Sequence, residues 1–348
     1  MTTPYLFYSR DFLGHQTAGH PESPERLLTI LKTLDAHQVL SQCKQIEPEP
    51  LSEQFIYRIH NPHYVKRFAQ FCTQAGEGQR IDENTVVSTG TYPAARKAAG
   101  AAVGMVDALL NGQCDRAFAL VRPPGHHAMP HYLMGFCFFN NIALAALHAL
   151  ETHQLKRVAI LDWDAHHGNG GEAIFYQDPR VFTVSWHQDP NWPGTGAIED
   201  VGADAGRGYN LNIPLPKKYG TPAFLKSFDA LVAPALQKFS PELVLVAAGY
   251  DAHHADILTE MGLNATGFSM LTEAVMRLSD RVGAKTGFLL EGGYQLEALS
   301  NSVTATLQTL LNEESRPFKE SFLPALEMNY DDLDAYLNRI KVQHPFFS

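Results

Sequence analysis

Residues 158–170 read VAILDWDAHHGNG, an apolar run followed at once by two aspartates and two histidines. The apolar part is continuous rather than alternating, which is typical of a strand buried on both faces of a parallel sheet. Similar runs occur at Ala117–Val121, Val181–Val184, Leu243–Ala247 and Gly287–Leu290. Segments with helical spacing separate them, at Pro93–Leu110, Asn141–Glu151, Thr221–Phe239 and Leu271–Arg281. This alternation predicts an α/β fold, in which a single domain over residues 1–348 has an open, mostly parallel sheet flanked by helices.

The remaining segments complete this organisation. Residues 184–216 are rich in Gly, Pro, Asp and Asn, and we interpret them as a long ordered loop region. The last predicted helix covers Asp331–Lys341 and is followed by a short tail. The pattern contains no repeats and no low-complexity linkers, so it gives no reason to divide the chain.

The composition excludes several classes of protein. The chain has 348 residues, of which 45% are hydrophobic and 18% charged, and its formal net charge is −10. These values are typical of a globular protein, and the acidic balance gives no electrostatic footprint for nucleic acid. No apolar stretch is long enough for a membrane span, and the first residues lack the pattern of a secretory signal. The oligomeric state stays open, a homo-oligomer included.

Four cysteines, at positions 43, 72, 114 and 137, are widely spaced and form no C-x-x-C motif. This spacing argues against a disulfide framework and against a cysteine-based zinc site. It predicts a cytoplasmic protein.

Polar residues of catalytic types follow each of four predicted strands. The segments are RPPGHHA (122–128), DWDAHHGNG (162–170), AAGYDAHHAD (247–256) and EGGY (291–294). Ligands in open α/β sheets bind beyond the carboxyl ends of the strands. The four segments should therefore converge on one crevice.

Two carboxylates and one imidazole in this set predict a metal site. On an extended chain Asp162, Asp164 and His166 would point to one face, where unpaired buried charge would be costly. Asp164 and His166, joined by Asp251, would give three protein ligands and one open position, the pattern of catalytic zinc. Iron or cobalt would also accept these donors. A binuclear manganese site would need a further carboxylate two residues after His166, and that position is Gly168.

The other residues supply acid–base groups. His126 and His127 have an unperturbed pKa near neutrality, which suits proton transfer beside a metal. Asp162 and Asn169 are available to orient their rings. Tyr294, which follows two glycines on a mobile or closely packed loop, could donate a hydrogen bond to a developing oxyanion.

These motifs carry a resemblance to a known family. In order and spacing, RPPGHHA, DWDAHHGNG, GYDAH and LEGGY resemble the zinc-dependent histone deacetylase superfamily, which includes acetylpolyamine amidohydrolases and acetoin-utilisation proteins. HPESPERL (20–27) and MGFCFFNN (134–141) also match, so the resemblance extends from about His20 to about Thr309. The motif HHGNG, with asparagine at position 169, resembles the corresponding motif of the class II branch and its bacterial relatives. The fold that the resemblance implies is the arginase/deacetylase fold.

The resemblance implies a role for each site residue. Asp164, His166 and Asp251 would bind one zinc ion, and His127, oriented by Asn169, would be the general base. His126, paired with Asp162, would be an electrostatic partner, and Tyr294 would polarise the scissile carbonyl. The implied substrate-binding residues are Gly135, Phe136, Trp192, Leu258 and Gly293. Arg26 would line an internal channel through which acetate leaves.

Two structural potassium ions are also implied by the resemblance. Their ligands, mostly backbone carbonyls, would come from two groups of residues. The first group is Asp162, Asp164, His166, Ser185 and Trp186, and the second is Phe175, Asp178, Val181 and Tyr209.

Three functions remain open at this stage. The chain could deacetylate acetyl-lysine in peptides or proteins, hydrolyse acetylated polyamines, or bind acyl-lysine without catalysis. Tyr294 and the complete set of metal ligands argue against the third. At position 258 the chain has leucine, which resembles the enzymes that act on lysine in proteins, because polyamine-selective relatives have a glutamate at the corresponding position. Asp82 and Glu83, in a loop that could reach the rim, are compatible with either substrate.

Overall fold

The structure, a computed structural model, describes residues 3–312, 318–320 and 332–347. The strands are β1 (Tyr5–Phe7), β2 (Lys44–Ile46), β3 (Gln79–Arg80), β4 (Val86–Val87), β5 (Arg116–Ala119), β6 (Val158–Asp162), β7 (Val181–Gln188), β8 (Asn210–Leu215), β9 (Leu243–Ala248) and β10 (Lys285–Leu290). The helices are α1 (Pro24–Ala36), α2 (Glu53–Ile56), α3 (Pro62–Thr73), α4 (Thr91–Leu110), α5 (Asn141–Glu151), α6 (Asn169–Phe175), α7 (Thr221–Ser227), α8 (Ala233–Phe239), α9 (Ala265–Val282), α10 (Leu296–Leu310) and α11 (Leu333–Gln343).

Eight of the strands form one sheet in the order β2-β1-β5-β10-β9-β6-β7-β8, and every pairing in it is parallel. The central strands are apolar and buried along almost their whole length, as in β6 and β9. The predicted α/β class with an open parallel sheet is therefore confirmed. β3 and β4 form a separate antiparallel pair.

The direction of the crossovers places helices on both faces of the sheet. The chain runs from β5 across to β6 through α5, whereas it returns from β9 to β10 through α9. Because such crossovers are right-handed, opposite directions of travel place α5 and α9 on opposite faces. Helix α4 packs beside α5, and helices α1 and α10 pack together on the face that carries α9.

Most of the predicted helices are confirmed with small shifts of their ends. Helix α5 has the predicted bounds, α4 begins two residues earlier than predicted, and α9 begins six residues earlier, at Ala265. The predicted helix over residues 221–239 is α7 and α8 joined by a π-helical turn at Phe228–Val232. Asp331, the predicted start of the last helix, lies outside the described residues.

The prediction of a long loop over residues 184–216 is wrong at both of its ends. Strand β7 continues to Gln188, and β8 fills Asn210–Leu215. Strand β8 contains Asn210 and Asn212, which are buried and give the segment the polar character of a loop. Both side-chain amides donate to Glu172 Oε2, at 2.6 and 2.8 Å, so β8 can contain polar residues and still be a buried strand at the edge of the sheet.

Two features bear on the compartment and the redox state of the chain. The four cysteines are free and buried. Among residues 3–312, 318–320 and 332–347, no helix combines the length and apolar character that crossing a membrane requires.

Helix α4 packs closely against the segment before α2 because its buried side is made of small residues. Leu51 N donates to Arg96 O, and Arg96 Nε donates to Leu51 O, so the two backbones run side by side. At Gly100 a Cβ atom would lie 1.8 Å from Glu49 O. The approach of the two segments therefore requires glycine at this position.

We expect Gly100→Ala to destabilise the protein by about 1–3 kcal/mol, the usual cost of an overpacked core position. Gly171→Ala, in α6, is the matched control, because a Cβ there would meet no atom within 4 Å. The control should stabilise the protein by about 0.5–1 kcal/mol, since alanine loses less backbone entropy in a helix than glycine does. Urea unfolding of both variants measures the difference, and equal midpoints would contradict the argument.

Candidate active site

The four motif segments lie at the ends of four neighbouring strands. In the sheet, β5, β10, β9 and β6 are adjacent, and all four run in the same direction. Their carboxyl ends therefore deliver His126 and His127, Tyr294, Asp251 and Asp164 to one crevice, as the sequence predicts.

Asp164, His166 and Asp251 form a compact cluster at the base of this crevice. Their ligand atoms lie within 4.8 Å of one another. His166 Nδ1 is 2.9 Å from Asp251 Oδ2 and 3.1 Å from Asp164 Oδ1, so this nitrogen faces both carboxylates. Both carboxylates are buried. The backbone differs from the extended chain that we expected, since β6 ends at Asp162 and the next residues form a turn.

The charge on this cluster fits a divalent cation. Burial, followed by the negative charge of Asp164, raises the pKa of Asp251 to about 7. Two carboxylates this close resist being ionised together, and a bound cation would remove that conflict. Two carboxylate oxygens and one imidazole nitrogen are a donor set that zinc accepts, with one coordination position open.

The structure leaves no room for the extra ligand of a binuclear site at position 168. A Cβ atom on Gly168 would lie 2.2 Å from Asp162 Oδ2. A carboxylate side chain at this position would therefore displace Asp162. The geometry favours one metal ion in the crevice.

Backbone amides from neighbouring loops hold the two carboxylates in place. Ala165 N donates to Asp251 Oδ1 at 2.8 Å, and Gly292 N donates to Asp164 Oδ2 at 2.9 Å. A Cβ atom on Gly292 would approach these carboxylates to 2.5 and 2.6 Å. The first glycine of EGGY is therefore needed for close approach to the cluster.

His126 and His127 have different surroundings. Burial opposes the charged form of His126, but the carboxylates of Asp164 and Asp162 raise its pKa well above the usual value. Its Nδ1 lies 2.9 Å from Asp162 Oδ2. Burial, together with the charges of His126 and His166, lowers the pKa of His127 well below the usual value. The pair therefore provides one cationic ring and one neutral ring.

Asn169 fixes the tautomer of His127. Its Oδ1 lies 2.7 Å from His127 Nδ1, while its Nδ2 faces the sulfur atoms of Met129 and Met134 at 3.3 and 3.2 Å. The amide oxygen therefore accepts the Nδ1 proton, and Nε2 keeps a lone pair. Because the amide is uncharged, it orients the ring and favours protonation less than a carboxylate would, which suits a general base.

A pocket of about 200 Å³ opens above the cluster. Its lining residues are Asn84, His127, Gly135, Phe136, His166, Asn191, Trp192, Leu258 and Tyr294. It therefore contains four of the five residues predicted to bind substrate. Asn84 and Asn191 belong to none of the quoted motifs, and no pattern in the sequence pointed to them.

Aromatic rings form much of the pocket wall. The Trp192 ring stands edge-on to His127, with centroids 4.7 Å apart, and the Phe136 ring stands edge-on to Tyr294 at 5.6 Å. A Cβ atom on Gly135 would lie 2.5 Å from the His127 ring and 2.6 Å from Trp192. Glycine at 135 therefore keeps the route to the cluster open.

Tyr294 is held in place, so the closely packed alternative for its loop is the one observed. Its backbone N–H donates to Asp256 Oδ2 at 2.7 Å, and Arg26 lies over its ring at 5.1 Å from the centroid. Burial raises the pKa of the phenol well above its usual value, with Arg26 opposing the shift. The hydroxyl therefore stays protonated and can donate a hydrogen bond.

Gly293 has a different position from the one that we predicted. Its carbonyl accepts a hydrogen bond from Arg26 Nε at 2.7 Å, and it is not among the described residues that line the pocket. Arg26 also donates to Glu291 O at 2.6 Å. Arg26 thus lies beneath the EGGY loop, where it fixes two of its carbonyls.

Three acidic residues that the sequence analysis did not assign support the site from beneath. Glu22 makes a buried bidentate ion pair with Arg122, at 2.5 and 2.8 Å. Glu291 Oε2 accepts hydrogen bonds from the backbone of Gly125 and His126, at 2.7 and 3.1 Å. Asp256 Oδ1 accepts from Leu258 N at 2.9 Å. The quoted motifs contain all three residues, Glu22, Glu291 and Asp256. Their place within these motifs could have identified them from the sequence.

The residues predicted to bind potassium lie on neighbouring segments. Asp162 and Ser185 are register partners on β6 and β7. The turn between α6 and β7 contains Phe175, Asp178 and Val181. The Asp178 carboxylate accepts a hydrogen bond from the Arg180 guanidinium. Potassium at either group stays a prediction.

Comparisons with known proteins agree with this geometry. Residues 20–310 match the profile of the histone deacetylase domain. The chain is 41% identical over 279 residues to a histone deacetylase-like amidohydrolase of Pseudomonas aeruginosa, covering 80% of this chain and 73% of that protein. It is 36% identical to the human polyamine deacetylase HDAC10 over 315 residues, covering 87% of this chain and 46% of that protein. The crystal structure of the HDA15 HD domain superposes with a TM-score of 0.88 at 32% identity, covering 99% of this chain and 95% of that chain.

We expect the purified protein, after dialysis against metal-free buffer, to retain about one tightly bound divalent metal ion per chain. Asp251→Ala should lose this metal, because the remaining carboxylate and imidazole cannot hold it. Asp82→Ala, on the loop before β4, is the control and should keep the metal. Elemental analysis gives the ratio, and circular dichroism should show that both variants are folded. Two ions bridged to each other in the unaltered protein would contradict the argument from Gly168.

Proposed function

The chain belongs to the histone deacetylase family, and we propose that it is a zinc-dependent enzyme that removes acetyl or related acyl groups from lysine side chains. That the chain is a hydrolytic deacetylase follows from the family. The observation that supports the specific proposal is the arrangement around the three-ligand cluster. A neutral histidine and a buried phenol face one narrow aromatic pocket there.

The metal ligands would be Asp164, His166 and Asp251, with Nδ1 of the imidazole facing the ion. A zinc ion bound there supplies Lewis-acid polarisation of the amide carbonyl and lowers the pKa of a water ligand to about 7. His127 Nε2 is in position to accept a proton from the attacking water, because Asn169 occupies Nδ1. His126 lies between Asp162 and Asp164, whose carboxylates favour its charged form, so it would stabilise negative charge that develops on the reacting amide.

Tyr294 supplies the hydrogen bond that the carbonyl oxygen needs as it becomes an oxyanion. Its ring is fixed by Phe136 on one side and by the Arg26 guanidinium on the other. A donor that is already oriented needs no reorganisation during the reaction. Of the two alternatives that the Gly-Gly pair allowed, a mobile loop and a closely packed one, the proposal uses the closely packed loop.

The pocket suits a long aliphatic stem. Phe136, Trp192 and Leu258 provide apolar walls, while Asn84 and Asn191 are the polar lining residues outside the predicted catalytic set. A lysine side chain could pass between these walls and leave its acyl group at the metal ligands. Trp192 and Leu258 are 38% and 39% exposed, so apolar side chains extend to the surface beside the pocket.

Hydrolysis of acetylated polyamines is the second candidate, and it rests on the similarity to the polyamine deacetylase HDAC10. A polyamine carries a further ammonium group, which an acid at the rim would attract. Asp82 is engaged within its own turn, where its Oδ1 accepts hydrogen bonds from Asn84 N and Thr85 N. The Leu258 position carries no charge. These contacts favour acyl-lysine peptides as the substrate class.

The experiment on catalysis is Tyr294→Phe, which keeps the ring and removes the hydroxyl. Turnover of an acetyl-lysine peptide should fall roughly a hundredfold or more, the usual cost of losing an oxyanion donor. A trifluoroacetyl peptide should lose less rate, because its carbonyl is more electrophilic. Metal content and the affinity for a hydroxamate chelator should change much less. Equal losses on both substrates, or no loss on either, would mean that the phenol does not stabilise the oxyanion, and no turnover by the unaltered protein would favour a non-catalytic acyl-lysine-binding protein.

The experiment on substrate class is Leu258→Glu. A carboxylate at the rim would attract the distal ammonium of acetylspermidine by about 1 kcal/mol, a typical value for an exposed ion pair. The ratio of kcat/KM for acetylspermidine to that for an acetyl-lysine peptide should therefore rise about fivefold.

Ile257→Glu is the matched control for this experiment. Ile257 is 61% exposed, stands one position before Leu258 and does not line the pocket, so its variant should change the ratio little. If the unaltered enzyme already prefers acetylspermidine by a large factor, the proposal of peptide substrates is wrong.

A further inference from the structure

A second cluster of metal-ligating side chains lies outside the active site, on the helical face formed by α4 and α5. Asp107 near the end of α4, His148 near the end of α5 and His153 just beyond α5 converge there. Both imidazole Nε2 atoms contact the same oxygen, Asp107 Oδ1, at 2.6 Å from His148 and 2.7 Å from His153. The three ligand atoms lie within 4.8 Å of one another.

We propose that Asp107, His148 and His153 form a second divalent-metal site, which binds a transition-metal ion of the zinc, nickel or copper kind. Two imidazole nitrogens and one carboxylate oxygen are donors that these ions prefer over magnesium or calcium. The site differs from the catalytic one in having two imidazoles and one carboxylate. It lies on other elements of the fold and uses none of the same residues.

The distances require only a small adjustment for a metal ion to enter. In a tetrahedral zinc site with bonds of about 2.1 Å, ligand atoms lie about 3.4 Å apart. Each nitrogen must therefore move from Asp107 Oδ1 by less than about 1 Å. His153 follows the helix and the Asp107 side chain is 44% exposed, so both can move, while His148 remains fixed in α5.

The environment supplies the remaining requirements of a metal site. His148 Nδ1 lies 3.1 Å from Thr152 Oγ1, a hydroxyl that can accept the Nδ1 proton when Nε2 binds a metal. Burial opposes ionisation of Asp107, but the hydrogen bonds from the two histidines hold the pKa of this carboxyl below its usual value. The side chains of Asp107 and His153 are 44% and 17% exposed, so water can reach the cluster.

A metal ion at this position would join α4 to the end of α5. Helix α5 begins directly after Asn140, whose side chain donates to the backbone carbonyls of His126 and Ala128, while α4 packs on the sheet beside β5 and β10. Because the ion binds only the folded arrangement, it should stabilise the protein as its concentration rises above the dissociation constant. We expect the effect to appear in the thermal unfolding midpoint.

The experiment titrates Zn²⁺ into tag-free protein that already holds its tightly bound metal. Equilibrium dialysis should show a second equivalent bound, and the unfolding midpoint should rise with added Zn²⁺. Asp107→Asn and His153→Gln should each weaken this second binding by at least about tenfold, and Thr152→Val by about tenfold. Their unfolding midpoints should rise only at correspondingly higher Zn²⁺ concentrations than that of the unaltered protein.

Two controls separate this site from other binding. His63→Gln removes an exposed histidine on α3 and should leave the second equivalent intact. Asp251→Ala should lose the catalytic ion and still bind one Zn²⁺ at the second site with unchanged affinity. The proposal is overturned if the unaltered protein binds no second equivalent, because the cluster is then only a hydrogen-bonded network. It is also overturned if both Asp107→Asn and His153→Gln retain the second equivalent, because the Zn²⁺ is then held elsewhere on the surface.

Discussion

Asp164 and Asp251 lie side by side beyond the carboxyl ends of β6 and β9, and both carboxylates are removed from water. This arrangement is costly unless the charges are compensated, and the surrounding loops are built to compensate them. Backbone N–H groups of Ala165 and Gly292 each donate to one carboxylate, and His166 Nδ1 lies between the two. A divalent cation would complete the compensation, so the same constraint that organises the loops also defines the proposed metal site.

A layer of buried charge beneath the cluster carries this organisation further into the protein. The Glu22–Arg122 ion pair and the guanidinium of Arg26 are buried completely, and each arginine donates to backbone carbonyls. Removing one partner of such a pair would leave an uncompensated charge, so these residues specify one arrangement of the loops. They connect the segment around α1 to the turn that carries the two catalytic histidines and to the EGGY loop. The site therefore depends on chain segments that are distant in sequence.

The two histidines of RPPGHH show how neighbours in sequence acquire opposite properties. The carboxylates of Asp164 and Asp162 raise the pKa of His126, whereas burial and the charges of His126 and His166 lower the pKa of His127. The sequence already offered Asp162 and Asn169 as acceptors, and the geometry pairs each with one ring. The surroundings of Tyr294 likewise set its protonation. Burial, together with the nearby carboxylates of Asp164 and Asp251, raises the pKa of the phenol, so it keeps its proton.

The sequence by itself determined the sheet class and the convergence of the four motif segments, because apolar strands that run parallel must bring their carboxyl ends to one edge. It also located helix α5 to the residue, since helical spacing is a local signal. Only the tertiary structure decided that Asn210–Leu215 is a strand, because the partner of its buried asparagines, Glu172, lies some forty residues away. It likewise decided that the EGGY loop is fixed and that Gly293 faces Arg26 rather than the pocket. Hydrogen bonds and charge compensation between distant segments have no local pattern, and for that physical reason they appear only when the chain is folded.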